Sequence, residues 1–295
     1  MSGELFFKGH TACPGCGPAI ALKWVTDAIG REAVVSLATG CMEIVSTQYP
    51  NSNWGVPCIH SLFENTPAVT TGVSRALKRL GKKGIPLCIG GDGALYDIGF
   101  GALSGAMERN EDMICVIYDN ENYANTGVQR SGATPFGAAT MTSPVEIGGK
   151  HEWKKNIAFI SAAHGIPLVA TASIAFYGDF VAKLKKAREL QGKGFRLIVV
   201  QAPCIPGWRI NDDEAVAAAK LAVETGLWNL FEISEGVFRF SVKPELKSVK
   251  DYLLMQGRFK HLTQEQTGFI QEHAKRVRAE LEKLEKSGIN LKYLL

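Results

Sequence analysis

The chain has 295 residues, 46% hydrophobic and 21% charged, and its 33 Lys and Arg against 29 Asp and Glu leave a net charge of +4. This is ordinary globular composition, with room for one large α/β domain or two. The charge is too weak and too scattered for nucleic-acid binding, and no apolar run reaches the length of a membrane span. The opening stretch MSGELFFKGH does not read as a signal peptide, so a cytoplasmic protein is the expectation.

In chain order, Cys13-Pro14-Gly15-Cys16 is a CxxC turn, and Pro18 suits the first position of a helix over Ala19 to Ile29. Ala33 to Ala38 reads as a strand that runs directly into Thr39-Gly40-Cys41. Glu43 to Trp54 is polar and loop-like, and a helix is expected from about Ala68 to Leu80. Beyond Asn125 the chain is irregular to about His151; loops of that length inside a domain are functional or mobile. Helices are then expected over Asn156 to His164, Phe176 to Leu190 and Asp213 to Thr225. Strands are expected over Leu168 to Thr171 and Arg196 to Gln201, with a hairpin of Trp228 to Ser234 and Val237 to Phe240. Lys243 to Leu295 is polar and helical, an appendage to the sheet. The lysines at 183, 185 and 186 read as a solvated helix face.

The most informative stretch is Ile85 to Asn125. An apolar run, Ile85 to Ile89, ends in Gly90-Gly91-Asp92-Gly93; a helical segment, Ile98 to Arg109, follows; a second apolar run, Met113 to Tyr118, ends in Asp119-Asn120-Glu121-Asn122. This is a βαβ pattern, whose strands lie parallel with a right-handed crossover. Asp92 and Asn120 therefore fall at the carboxyl ends of the strands, where open α/β sheets bind ligands. Strands about 4.8 Å apart bring two such oxygens within reach of one Mg²⁺, which usually shares its coordination with phosphates. Gly91 and Gly93 let backbone N–H groups approach a phosphate. The stretch has neither the Lys-Ser/Thr of a Walker A loop nor a dinucleotide fingerprint, which argues against ATP and NAD.

The seven cysteines are an odd number without a disulfide framework. Cys88 and Cys115 lie within apolar strands, and Cys58 reads as a small hydrophobe as well. Cys13, Cys16, Cys41 and Cys204 sit in loops beside Gly or Pro and have the residue type and spacing for Zn²⁺ or for an iron–sulfur cluster.

Taken together, Gly9-His10-Thr11-Ala12-Cys13-Pro14-Gly15-Cys16-Gly17, Ala38-Thr39-Gly40-Cys41, Gly91-Asp92-Gly93, Tyr118-Asp119-Asn120-Glu121 with Asn125-Thr126-Gly127, and Pro203-Cys204 with Gly207-Trp208 resemble the β subunit of 2-oxoacid:ferredoxin oxidoreductases. The resemblance reaches to about Phe240 and is nearest to the pyruvate-type members. It implies an α/β fold with a mostly parallel sheet and helices on both faces: a thiamine diphosphate and Mg²⁺ domain over 1–240, followed by a helical extension over 241–295. It also implies one [4Fe–4S] cluster on Cys13, Cys16, Cys41 and Cys204. Mg²⁺ would be held by Asp92, the Asn120 side chain and the Asn122 carbonyl. The diphosphate would lie along Gly91, Asp92, Gly93 and Ala94. Cys41 and Tyr123 would border the cofactor, and Asn125 would be the catalytic residue near its reacting carbon.

The implied reaction takes pyruvate, coenzyme A and oxidised ferredoxin to acetyl-CoA, CO₂ and reduced ferredoxin. A thiamine ylid attacks the 2-oxo carbon, CO₂ leaves, and electrons pass singly to the cluster. The activating glutamate has no second α/β domain here to supply it, so an α subunit is expected, with ferredoxin-like and γ-type subunits beside it. Two segments depart from the family pattern. Gly91-Asp92-Gly93-Ala94-Leu95-Tyr96-Asp97 stands where Gly-Asp-Gly-Gly-Thr-Ala-Asp is usual, and Cys204-Ile205-Pro206-Gly207-Trp208 where Cys-Pro-Thr-Gly-Trp is usual. These leave oxalate or another 2-oxoacid open as the substrate. A non-redox thiamine decarboxylase or synthase is a second reading of the chain, and a zinc-stabilised nucleotide-binding module a third.

Overall fold

The computed structural model describes residues 4–293. Residues 1–3 of the opening stretch, read above as lacking a signal peptide, and residues 294–295 of the C-terminal extension lie outside it. Helix α1 (Gly17–Ile29) leads into strand β1 (Ala33–Ala38), helix α2 (Cys41–Ser46), strand β2 (Cys58–Ser61) and helix α3 (Thr66–Arg79). Next come β3 (Ile85–Gly91), a π-helical turn (Gly93–Ile98), α4 (Phe100–Glu108) and β4 (Met113–Asp119). After the long irregular stretch follow α5 (Ile157–Ala162), β5 (Leu168–Ser173), α6 (Tyr177–Glu189), β6 (Phe195–Gln201), α7 (Ile205–Trp208) and α8 (Ala215–Glu224). The hairpin is β7 (Leu230–Ser234) and β8 (Val237–Val242), followed by α9 (Val249–Met255), a 3₁₀ turn (Gly257–Phe259) and α10 (Gln264–Ser287).

The strands form one sheet in the order β2-β1-β3-β4-β6-β5-β7-β8. From β2 to β5 every pairing is parallel; β7 then joins β5, and β8 joins β7, antiparallel. The central strands β4 and β6 are buried along their whole length, which explains their continuous apolar runs: a parallel strand is covered on both faces. One core lies under α1 and α6, with Leu22, Val25, Phe180 and Leu184 against Ile114, Val116 and Ile198. The other lies under α4 and α5, where Leu103 and Met107 pack with Cys115, Ile117 and Leu197. Tyr252 and Leu253 of α9 and Ile270 and Ala274 of α10 belong to that same second core.

Two local expectations change, and one strand was not anticipated. The segment from Glu43, read as loop, begins inside α2, a single short turn with too little apolar periodicity to announce itself. Strand β2 is unmarked by any alternation; it is a four-residue edge strand with Ile59 and His60 exposed. Lys183 is 3% exposed and not solvated, because its ammonium donates to the Thr171 carbonyl (2.7 Å) and to Ser241 (2.6 Å) beside Asp179. Among the described residues, no helix is long and apolar enough to cross a membrane.

Leu197 is fully buried at the centre of β6. Leu197→Ala is expected to cost about 3 kcal/mol through lost transfer energy and a cavity, read as a lower chemical-denaturation midpoint.

Candidate active site

Four adjacent strands, β1, β3, β4 and β6, end at the same edge of the sheet. Beyond those ends lie Thr39-Gly40-Cys41, Asp92, Asn120 and Cys204 respectively. The parallel register that buries the apolar runs is therefore also what gathers the polar residues. Between β1, β3 and β4 opens a cleft of about 590 Å³, including the solvent at its mouth. Cys41, Gly91, Gly93 and Ala94 line one part of it; Asn120, Asn122, Tyr123 and Asn125 line another. Asn125 is exposed at this margin. Asp92 does not line the cleft: it is 0% exposed and stands behind the wall.

Asp92 accepts the Ser131 hydroxyl (2.5 Å) and the Asn120 N–H (3.2 Å). Burial and the nearby Asp119 push its carboxyl well above the usual range, with Ser131 opposing them. The neighbouring carboxylates have firmer partners. Asp119 accepts the Tyr96 hydroxyl (2.6 Å) and pairs with Lys154 (2.7 Å). Glu121 pairs with Lys154 (3.0 Å) and with Arg258 (2.5 Å). Burial alone would raise the Glu121 carboxyl, but Lys154 and Arg258 more than offset it and hold it low. Three buried carboxylates thus face two cations, and among the described residues Asp92 has no cation of its own.

The Asn120 amide stands beside Asp92. Turned one way, its nitrogen donates to Asp92 Oδ1 (2.9 Å) and to the Asn122 carbonyl (2.7 Å). Turned the other way, its oxygen sits at that same point, facing the Asp92 and Asn122 oxygens and accepting only a long bond from the Asn122 N–H (3.3 Å). A proton on Asp92 or a bound cation stabilises the second arrangement. Adjacent oxygens around a Mg²⁺ with bonds of about 2.1 Å lie roughly 2.9 Å apart, close to the two separations from the Asn120 amide. The backbone turn brings these groups together. Glu121 is left-handed (φ 67°), which directs Asn120 and Asn122 to the same side. The Trp208 indole N–H holds the Asn120 carbonyl at 2.9 Å.

The four loop cysteines come from three parts of the chain. Gly17 N–H donates to the Pro203 carbonyl (3.2 Å), and a Cβ at Gly17 would lie 2.7 Å from that segment's backbone, so the CxxC turn and the Cys204 loop are pressed together. Cys13 is exposed, Cys16 and Cys41 are partly buried, and Cys204 is buried. The thiols of Cys16, Cys41 and Cys204 are each pushed up to about 12, first by burial and then by two other members of the set. Buried thiols without a cation stay protonated; bound iron would supply the missing positive charge. Among the described residues, no three His, Cys, Asp or Glu side chains converge as tightly as a single bound ion requires. A four-iron cluster, taking one thiolate per iron, calls for a wider set.

His60, which precedes Phe63-Glu64-Asn65, meets the Thr39 hydroxyl (2.8 Å) at the cleft margin, with Glu43 at 3.4 Å. Ser131, Lys154 and Arg258 carried no motif. The length of the irregular stretch was the only signal for the first, and nothing marked the other two.

A family model described as the thiamine pyrophosphate enzyme C-terminal TPP-binding domain matches residues 38–200. Pyruvate synthase subunit PorB of Methanocaldococcus jannaschii is 46% identical over 281 residues, 92% of this chain and 94% of the relative. Ketoisovalerate oxidoreductase subunit VorB of Pyrococcus abyssi is 42% identical over 298 residues, 96% of this chain and 93% of the relative. A solved 2-oxoglutarate:ferredoxin oxidoreductase from Magnetococcus marinus, with 2-oxoglutarate, coenzyme A and succinyl-CoA bound, shares the fold at a TM-score of 0.58 and 24% identity. That match covers 74% of this chain and 78% of the other.

Ser131→Ala removes a hydrogen bond to a buried carboxylate. The expected loss is about 2 kcal/mol of stability, measured as a lower unfolding midpoint near neutral pH.

Proposed function

Because the chain belongs to the β-subunit family of the 2-oxoacid:ferredoxin oxidoreductases, we propose that it holds the diphosphate end of thiamine diphosphate, with Mg²⁺, beside one [4Fe–4S] cluster, and that the enzyme converts pyruvate, coenzyme A and oxidised ferredoxin to acetyl-CoA, CO₂ and reduced ferredoxin. The observation that carries the cofactor assignment is the convergence of Asp92 Oδ1, the Asn120 amide and the Asn122 carbonyl on one point beside the cleft.

When bound, thiamine diphosphate supplies the electron sink that lets a 2-oxoacid lose CO₂. Asp92, the Asn120 side-chain oxygen and the Asn122 carbonyl are the proposed Mg²⁺ ligands. Gly91, Gly93 and Ala94 line the cleft where the π-helical turn begins. The first N–H groups of a helix lack partners within it, which suits them to a diphosphate. Tyr123 walls the cleft, and its hydroxyl donates to Asp97 (3.3 Å), which keeps the ring in place. Asn125, exposed at the margin, is proposed to orient the substrate by hydrogen bonding. Cys13, Cys16, Cys41 and Cys204 are proposed to hold the cluster; Cys41 lines the cleft itself, which favours a cluster close to the reacting carbon. The activating glutamate is assigned to an α subunit, and onward electron transfer to ferredoxin-like and γ-type subunits.

A second substrate reading has its own support. The ketoisovalerate relative matches nearly the whole chain, so a branched-chain 2-oxoacid is the alternative to pyruvate. Comparing kcat/KM for pyruvate and 2-oxoisovalerate in the assembled enzyme decides between them.

Asp92→Ala is expected to abolish thiamine diphosphate binding in calorimetry while the brown visible absorption persists. Cys204→Ala is expected to remove that absorption. Unchanged cofactor binding by the first variant would overturn the Mg²⁺ assignment, and a wild-type protein containing zinc and no iron would overturn the cluster. The chain alone is expected to be inactive with any 2-oxoacid; turnover without a partner would mean that the activating glutamate lies in this chain.

A further inference from the structure

The C-terminal extension reaches the site through one side chain. Arg258, in the 3₁₀ turn after α9, is 1% exposed. Its Nη2 meets Glu121 Oε2 at 2.5 Å, and its Nε donates to Gln256 Oε1 at 2.9 Å. Its guanidinium carbon lies 4.1 Å from the centroid of the Trp208 ring. One cation therefore grips two loops at once.

Both loops meet at the proposed metal turn. The Trp208 indole N–H donates to the Asn120 carbonyl (2.9 Å). Gly207 lies so close to Asn122 that a Cβ there would come within 2.6 Å of its amide nitrogen. Glu121 stands between Asn120 and Asn122 in the left-handed region, a conformation that a residue with a Cβ keeps only when its surroundings over-determine it. Its ties are Thr134, whose hydroxyl donates to the Glu121 carbonyl (2.6 Å), Lys154 on one carboxylate oxygen, and Arg258 on the other. The turn that carries Arg258 is itself anchored at both sides. Gly257 N–H donates to the Arg209 carbonyl (3.1 Å) just past α7, and the Arg258 carbonyl accepts from Ala139 N–H (2.9 Å).

Resting on the cofactor assignment above, we propose that Arg258 is a positioning residue: it straps the Asn120–Asn122 turn to the Cys204–Trp208 loop, and so sets the geometry of the metal–diphosphate site from the C-terminal extension. This gives residues 241–295 a role in the reaction that no motif of theirs suggests. Arg258 acts through Glu121 and Trp208 and is not among the residues lining the cleft.

The test is calorimetric titration of Mg²⁺ and thiamine diphosphate into the assembled enzyme carrying Arg258→Met, Arg258→Lys or Arg278→Met. Arg278 is the matched control. It is also a buried arginine of the extension, 5% exposed, but its partners are Asn229 (3.0 Å) and the Pro244 carbonyl (3.2 Å), away from the turn. Arg258→Met is expected to raise the apparent Kd at least about tenfold, the usual effect of losing a group that supports a metal's ligands. At saturating cofactor, kcat should stay within about threefold of wild type. Arg258→Lys keeps the charge but not the fork, so it should give a smaller rise. Arg278→Met should bind as wild type. Equal affinity in Arg258→Met and wild type, or an equal rise in both Met variants, overturns the strap. If Arg258→Met does not assemble, Arg258→Lys decides, and a wild-type Kd there overturns the proposal. Absence of binding by wild type is a different result: it overturns the cofactor assignment and the strap with it.

Discussion

Three carboxylates, Asp92, Asp119 and Glu121, are withdrawn from water at one edge of a parallel sheet. Charges in such a place are costly unless paired. Lys154 bridges two of them and Arg258 adds a second contact to Glu121, so Asp92 is the one left without a cationic partner among the described residues. The rest of the site follows from that imbalance. Asp92 has neutral donors, from Ser131 and the Asn120 backbone. The Asn120 amide beside it stands between donating a hydrogen bond and joining a cation's shell. A buried carboxylate without a cation is what the proposed divalent ion would neutralise, with a diphosphate bringing the remaining oxygens such an ion needs.

Sheet topology places every part of this. Because β1, β3, β4 and β6 are parallel neighbours, the residues that follow them come together although they are far apart in sequence. The cleft and the cysteine loops share Cys41. The long irregular stretch after β4 folds back across the edge: Ser131 reaches Asp92, Lys154 reaches Asp119, and Thr134 reaches the Glu121 carbonyl. That stretch provides inner support to the site.

Much of this was legible in the residues themselves. Strands β3 and β4 declare themselves as apolar runs because both faces are covered, and each ends in oxygen-bearing residues whose spacing needs no tertiary knowledge. Cys204 and Trp208 were marked by their motif. What stayed hidden depends on contacts between distant segments. Lys154 looks like any lysine before a helix until Asp119 and Glu121 are buried beside it. Lys183 sits in a run of lysines that reads as solvated, yet it is turned inward by the Thr171 carbonyl. Strand β2 is too short and too polar to stand out. Arg258 belongs to a polar tract with no periodic signal toward the site.

The pairing of Glu121 with Arg258 spans 137 positions of the chain. During synthesis the entire parallel sheet, the CxxC turn and the Cys204 loop are already made before position 258 emerges. Until then Glu121 has Lys154 alone as a cationic partner among the described residues, and one carboxylate oxygen faces the forming core without a counter-charge. A chain that stops short of this residue lacks Phe259, Ile270 and Ala274 of the second core as well as the guanidinium on Glu121. The α9–α10 segment thus adds two things to the sheet: apolar packing from Tyr252, Phe259 and Ile270, and the second counter-charge for Glu121.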